Sequence, residues 1–517
     1  MRARLVFAAT LILGAANAGC YEAFSVEKVF DQDGKIGTGG TGGTGGTGGT
    51  GGTGGTTTAS SECQPGMAMG PVDNDCGVFV SSSKGNDATG KGTKEEPLAT
   101  IAKALAEAKD KKKPVYLCAE TFTEAVSIAS PAEVYGGLDC MSDWRYGGDT
   151  ARTVLTAAEN AIPLRIESKI GLTMANVRVS AVNATVEGGS SIAMVADDGA
   201  NISLTLCDVA AGDGAKGADG VPYPNGANDG TKGSNGEPAC SADTVVTMAP
   251  PTNRCGEDDS VGGSGGVGTS ASGSAGNAGQ PFIANNFGEG DASGQCKPGT
   301  EGTEGESGMP GAGASGGLGT LDPALGFAGL SGKDGLPGTP GQGGGGGGAS
   351  KGGATPCLGQ AGNGGASGGT GGSGGCGGLG GKGGGAGGAS IAIVSLGANI
   401  SLKNVMVQAR NGGAGGEGGL GQFGGLGAGG GTGGTVPVGV VGLKAACAGG
   451  PGAKGGNGGK GGGGLGGHSI GIAHAGNAPV AEDVTIAIGT AGDGGAGEDM
   501  VPTSKGAAGV AVEVQAF

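Results

Sequence analysis

The chain has 517 residues, of which 132 are glycine and 22 proline, against one Trp, five Tyr and ten Phe. A composition so rich in glycine and so poor in aromatics cannot build one hydrophobic core in proportion to its length. The net charge of −16 argues against a surface for phosphate or nucleic acid, and only two histidines, His468 and His474, leave little room for histidine-based metal sites or catalysis.

Residues 1–19 read as an export signal. Arg2 and Arg4 supply the positive start, and the apolar run 5–13 is too short to span a bilayer. Ala16-Asn17-Ala18 suits ordinary signal cleavage. Asn17-Ala18-Gly19-Cys20 also resembles the lipobox of bacterial lipoproteins, although Asn17 departs from that pattern. The resemblance implies acylation of Cys20 and a lipid anchor in the outer membrane or at the cell surface; soluble secretion is the alternative. Residues 20–58 follow as a tether containing six Gly-Gly-Thr triplets, 39–56, with no apolar content to offset the entropy of ordering. The other reading is a polyglycine helix of three residues per turn with every threonine on one edge, for which the sequence offers no obvious partner strand.

A folded region, 59–211, starts with a short strand at 78–80. A helix is expected at 96–111. Pro97 suits its first turn, Glu95 and Glu96 sit at the positive end of the dipole, and Lys109, Lys111, Lys112 and Lys113 crowd the negative end. Leu98, Ile101, Ala102 and Leu105 would form its apolar face. From Pro114 the periodicity changes to two, giving strands at 115–118, 125–128 and 133–135.

The strand segments repeat. Residues 170–177 align with 202–209, and 191–204 returns nearly 200 residues later as 390–402, with a weaker third copy over 469–486. Repeats of this kind imply stacked strand units of a solenoid, whose insertions map to one face. Asn176, Asp208, Asn404 and Asp483 each precede a valine and are candidates for a ladder of turn residues. The map that follows has a glycine-rich insert at 212–389, a coil at 390–410, an insert at 411–466, a coil at 467–489, a short insert at 490–507 and a last strand at 508–517. The inserts are built on Gly-Gly-x, and either disorder or packed polyglycine strands pinned by disulfides would suit them.

Twelve cysteines in an exported chain suggest disulfides. Local spacing points to Cys63–Cys76, Cys118–Cys140 and Cys240–Cys255. Cys296, Cys357, Cys376 and Cys447 would then pair among the glycine-rich segments, leaving Cys207 free. No C-x2-C pair occurs, so no zinc site is expected, and no other metal or cofactor is expected either.

Residues 78–87, 92–101 and 115–124, followed by Val134-Tyr-Gly-Gly-Leu-Asp139 and Trp144, resemble the opening of exported bacterial pectin-lyase-like proteins. The resemblance covers roughly 76–210. It implies an all-β fold, a right-handed parallel β-helix with an N-terminal capping helix, here carrying long glycine-rich loop insertions. Those inserts are similar in composition to PGRS-type repeats. Lyases of this fold use clustered aspartates for calcium and a basic residue to take a proton; Asp197, Asp198 and Asp208 with Arg178 are the candidates, but no motif fixes them together. No catalytic residue is assigned. The expectation is a non-enzymatic cell-envelope or surface protein whose β-helix displays glycine-rich loops for adhesion or surface structure. Its expected partners are the membrane, through the lipid anchor, and surface polysaccharide or other cell-surface components, with no nucleic acid. The alternative is a polysaccharide lyase, glycoside hydrolase or polysaccharide-binding protein.

Overall fold

The computed structural model describes residues 63–65, 70–148, 151–291 and 295–517. The expected signal, Cys20 and the Gly-Gly-Thr segment lie outside the described residues. The protein is mostly β, with three principal sheets whose strands run parallel apart from one short antiparallel strand, Arg145–Tyr146, on Ala132–Asp139. The chain visits the sheets in rotation. Leu164–Ile166 lies in sheet C, Gly171–Ala175 in sheet A and Val177–Ser180 in sheet B; Ser191–Ala196, Asn201–Thr205 and Asp208–Ala210 repeat the order. Ser390–Leu396, Asn399–Lys403 and Met406–Gln408 then pair with that second trio, residue on residue, across the long interval. Ser469–Ala475, Val480–Glu482 and Thr485–Ala487 form the next, and Ala511–Ala516 closes sheet C.

Inward-facing side chains of all three sheets share one core, including Ile202, Leu204, Val209, Ile400, Leu402, Val405 and Val407. Alternation determines which residues enter it, but alternation alone leaves the register ambiguous. The sequence alignment set Ile170 against Ile202, whereas the structure pairs Leu172 with Ile202 and Met174 with Leu204. A slip of two residues keeps every side chain on its face, so periodicity cannot detect it.

The same slip corrects the turn ladder. Asn176, Asn404 and Asp483 occupy the left-handed region at the A–B corner, with φ of 58°, 52° and 51°. Their counterpart in the second repeat is Leu206, φ 52°, and not Asp208, which lies inside a strand. Cys207 therefore takes the core position that Val177 and Val405 hold in neighbouring repeats, which accounts for a free, fully buried thiol.

A second ladder was not anticipated. Ser191, Ser390 and Ser469 stack in register, and their Oγ atoms accept the backbone N–H of Gly212, Arg410 and Gly489 at 2.8, 2.7 and 3.0 Å. Each hydroxyl ties the start of a sheet C strand to the chain leaving sheet B, where the glycine-rich segments depart.

The helix runs from Ile101 to Lys111, five residues shorter at its start than expected. Leu98 is extended and bridges Val80, and Thr100 is the N-cap, its side chain accepting from Lys103 N–H at 3.2 Å. The Glu124 carboxylate caps the Ile101 and Ala102 amides at 2.8 and 3.2 Å, which fixes the helix on the first coil. Ile101, Ala104 and Ala108 face the core; Ala102, expected on that face, is exposed. A separate aromatic cluster of Phe79, Tyr116, Tyr135 and Trp144 covers the outer side of sheet A together with Cys63, Cys76, Cys118 and Cys140.

Candidate functional site

The glycine-rich segments form neither helices nor conventional strands, yet they are ordered. Hydrogen bonds recur at every third residue, as an extended chain of three residues per turn requires. Gly369, Gly372, Gly375, Gly378, Gly381 and Gly384 donate to the carbonyls of Cys447, Gly450, Ala453, Gly456, Gly459 and Gly462 at 2.8–3.1 Å, joining two parallel rods. Gly332, Gly335, Gly338, Gly341 and Gly344 donate to Gly384, Gly381, Gly378, Gly375 and Gly372, joining antiparallel ones. The rod 364–388 also bonds to 212–239, 261–268 and 411–435, so it is surrounded by backbone on several sides. Of the two structures compatible with the sequence, the packed one is present.

Glycine is needed here for closeness and not for conformation. The rod glycines are absent from the left-handed region. A Cβ on Gly371 would overlap the carbonyl of Gly344, and one on Gly375 the carbonyl of Gly425. The residue between glycine pairs has one of two roles. Pointing inward, it is small and hydroxylated: Ser367, Thr370 and Ser373 accept the N–H groups of Glu237, Ser234 and Thr231 at 2.8, 2.7 and 2.7 Å. Pointing outward, it is unconstrained, as in the exposed row Glu417, Leu420, Phe423 and Leu426. Ion pairs decorate this outer surface. Lys382 and the Gly383 amide, at 2.7 and 2.9 Å, hold the Asp334 carboxyl below its ordinary range.

Three disulfides lock the rods together: Cys240–Cys357, Cys255–Cys376 and Cys296–Cys447. The expected Cys240–Cys255 pair does not form. Rod packing brings together residues 117, 121 and 151 positions apart, and that overrides local spacing. Cys63–Cys76 and Cys118–Cys140 do form. Five disulfides are the chemistry of an oxidising, extracytoplasmic setting.

The first insert is not merely external. Its hairpin, Thr320–Asp322 and Gly326–Ala328, lays Phe327 over Ile192, Val195, Ile391, Val394 and Ile470 on the outer face of sheet C. His468 packs edge-on against Phe327 at 5.3 Å. Its Nδ1 accepts from Val510 N–H at 2.9 Å, which leaves Nε2 as the protonated nitrogen, donating to Leu318 O at 2.9 Å. Burial lowers its pKa. His474 bonds instead to Gly476 O. Both histidines have backbone partners, and neither belongs to a cluster of metal-type ligands among the described residues.

The lyase-type candidates are divided between corners. Arg178 and Asp208 are register neighbours on sheet B, whereas Asp197 follows a sheet C strand and pairs with Arg165 at 2.9 Å. Arg178 and Arg410 line a cleft of about 540 Å³ beside the departing chain, with Glu159, Ser180, Asn183 and Gln408. Among the described residues, the one cluster of metal-type ligands is Cys118, Glu120 and Cys140. Its two thiols form a disulfide, and Glu120 is taken up by Ser81, Ser82 and Ser83. Among the described residues no helix is long and apolar enough to cross a membrane.

Comparison with protein-family models gives no match, and comparison with curated proteins gives none either.

Proposed function

We propose that the chain is an exported, non-enzymatic cell-envelope protein. In this reading it is a right-handed parallel β-helix of the pectin-lyase-like type, with the B–C corner drawn out into a glycine-rich slab that serves adhesion or surface structure. One observation carries the reading: the inserts are hydrogen-bonded rods cross-linked by three disulfides, so much of the chain is spent on building an ordered surface. The rotation of the strands through three parallel sheets supports the β-helix, and the lipobox-like residues support an outer-membrane or cell-surface lipoprotein anchored through Cys20. Fractionation of cells expressing the full chain and Cys20→Ala tests the location. The variant is expected in the soluble exported fraction, and a mature N-terminus at Gly19 would remove the lipid anchor. Release of oligosaccharides from a panel of envelope polysaccharides would overturn the non-enzymatic reading.

The cleft beside Arg178 and Arg410 favours a second reading, a carbohydrate-active or polysaccharide-binding β-helix protein. A glycan array probed with the full chain separates the two. Retained signals that disappear in Arg178→Ala with Arg410→Ala would move the second reading ahead.

A further inference from the structure

The two ends of the stacked coils differ. At the first coil the helix Ile101–Lys111 packs Ile101, Ala104 and Ala108 into the core. At the other end sheets A, B and C stop at Val480–Glu482, Thr485–Ala487 and Ala511–Ala516, and among the described residues no strand pairs with the outer edges of these three. The core ends there uncovered. Leu402, Val407 and Ile472 are buried, but their register partners Ala481 and Val514 are exposed and Ile486 is half-buried, as is Val484 beside it. Unpaired backbone groups along three adjoining edges, around an apolar centre, are the chemistry by which another chain is captured.

The ends also differ in charge. Residues 469–488 and 511–517 hold Glu482, Asp483 and Glu513 and no lysine or arginine. Lys403, one coil in, pairs with Glu482 at 2.8 Å, and among the described residues no cation pairs with Asp483 or Glu513. The helix and its C-cap carry Lys103, Lys109, Lys111, Lys112 and Lys113 against Glu107 and Asp110. On its solvent side Ala102, Ala106 and Lys109 are exposed, and Lys103 approaches Glu107 only to 3.7 Å.

We propose that copies of this chain stack end to end, the capping helix of one copy lying across the open last coil of the next. The small side chains of Ala102 and Ala106 let the helix approach Val484, Ile486 and Val514, while Lys103 and Lys109 meet Glu482 and Glu513. The helix already closes one coil with its inner face, and in the stack its outer face closes a second. Charge selects this arrangement over the symmetric ones. Tail against tail would oppose Glu482, Asp483 and Glu513 to themselves, and head against head would oppose the lysines. The contact is heterologous, so each copy keeps one free head or tail and the row can extend. This inference goes beyond the envelope reading and does not depend on it.

Sedimentation velocity over a concentration series tests the proposal, using the full chain with Cys20→Ser so that no acyl group contributes. The parent is expected to show a sedimentation coefficient that rises with concentration and falls back as added salt screens the facing charges. Two variants each reverse one end at exposed positions: Lys103→Glu with Lys109→Glu, and Glu482→Lys with Glu513→Lys. Each alone should stay monomeric where the parent associates. An equimolar mixture should associate again, because the two unaltered ends match and so do the two reversed ones. Slower amide exchange over 480–487 in the concentrated parent reads the same contact without any substitution. Monomeric behaviour of the parent at every concentration overturns the proposal, as does exchange over 480–487 that is independent of concentration. Self-association of either variant alone also overturns it, since that would place the contact tail to tail, head to head or on the slab. So does a mixture that stays monomeric while both variants keep the parent's melting transition.

Discussion

Two glycine-to-alanine substitutions in the same low-complexity sequence should have opposite outcomes. Gly371 is buried in rod 364–388, and an added Cβ would overlap the Gly344 carbonyl oxygen and sit 3.0 Å from Gly263 N. To clear it, three rods must separate by an ångström or more, and three bonds lie in the path: Gly371 N–H to Gly263 O, Gly263 N–H to Gly344 O and Gly344 N–H to Gly372 O, at 2.8, 2.8 and 2.9 Å. Losing them at ~0.5–1.5 kcal/mol each, with ~1–3 kcal/mol of overpacking, puts Gly371→Ala at about 3–7 kcal/mol. Gly429 lies on the exposed side of rod 411–435, has nothing within 4 Å of its Cβ direction and is not in the left-handed region. Gly429→Ala should therefore be neutral or stabilise by up to about 1 kcal/mol, through reduced freedom of the unfolded chain. Thermal and denaturant unfolding of the pair, with disulfides intact, measures the difference. Equal effects of the two substitutions would mean that the rods do not pack as described.

Leu402→Ala, within the core shared by all three sheets, should cost about 2–5 kcal/mol in chemical denaturation. Replacing Cys255 and Cys376 with serine opens a loop of 121 residues and should cost about 2–5 kcal/mol, read as a lower melting temperature under non-reducing conditions. Cys207, whose thiol burial pushes up to about 11, should resist alkylation in the native protein and react only on unfolding. His468 must stay neutral in the fold while it protonates normally in the unfolded chain. Stability is therefore complete above the ordinary histidine pKa, about 6.5, and lost as pH falls through the lowered folded value; His468→Gln should flatten that part of the pH–stability curve.

Much of the strand framework was legible because buried alternation and the repeated Ser-Ile-Ala and Ala-Asn-Ile-Ser-Leu segments survive an interval of nearly 200 residues. The two-residue slip between 170–177 and 202–209 was not legible, because a period of two is blind to it. The order of the glycine rods was equally hidden. Their cohesion lies in backbone hydrogen bonds and close approach, and glycine leaves no hydrophobic signal to read. One clue was present: Ser367-Gly-Gly-Thr370-Gly-Gly-Ser373 places hydroxyls at the lattice period, where they cap the adjoining rod. Phe327 could not have been assigned to sheet C, since a single aromatic in a long insert carries no period. Replacing 214–387 with a short linker would therefore uncover Ile192, Val195, Ile391, Val394 and Ile470.

The rod lattice divides its labour along the chain. Inside, glycine pairs and small hydroxyls are fixed by contact, but many outward third positions are exposed and differ widely in type: Ala414, Glu417, Leu420, Phe423, Leu426, Gly429 and Thr432 share a single row. Shape and surface chemistry are thereby uncoupled. Such a surface can be rewritten one side chain at a time, on a grid of ~9 Å along each rod, without renegotiating the fold beneath it. A lineage could change what the slab touches at little cost in stability, and an engineer could do the same.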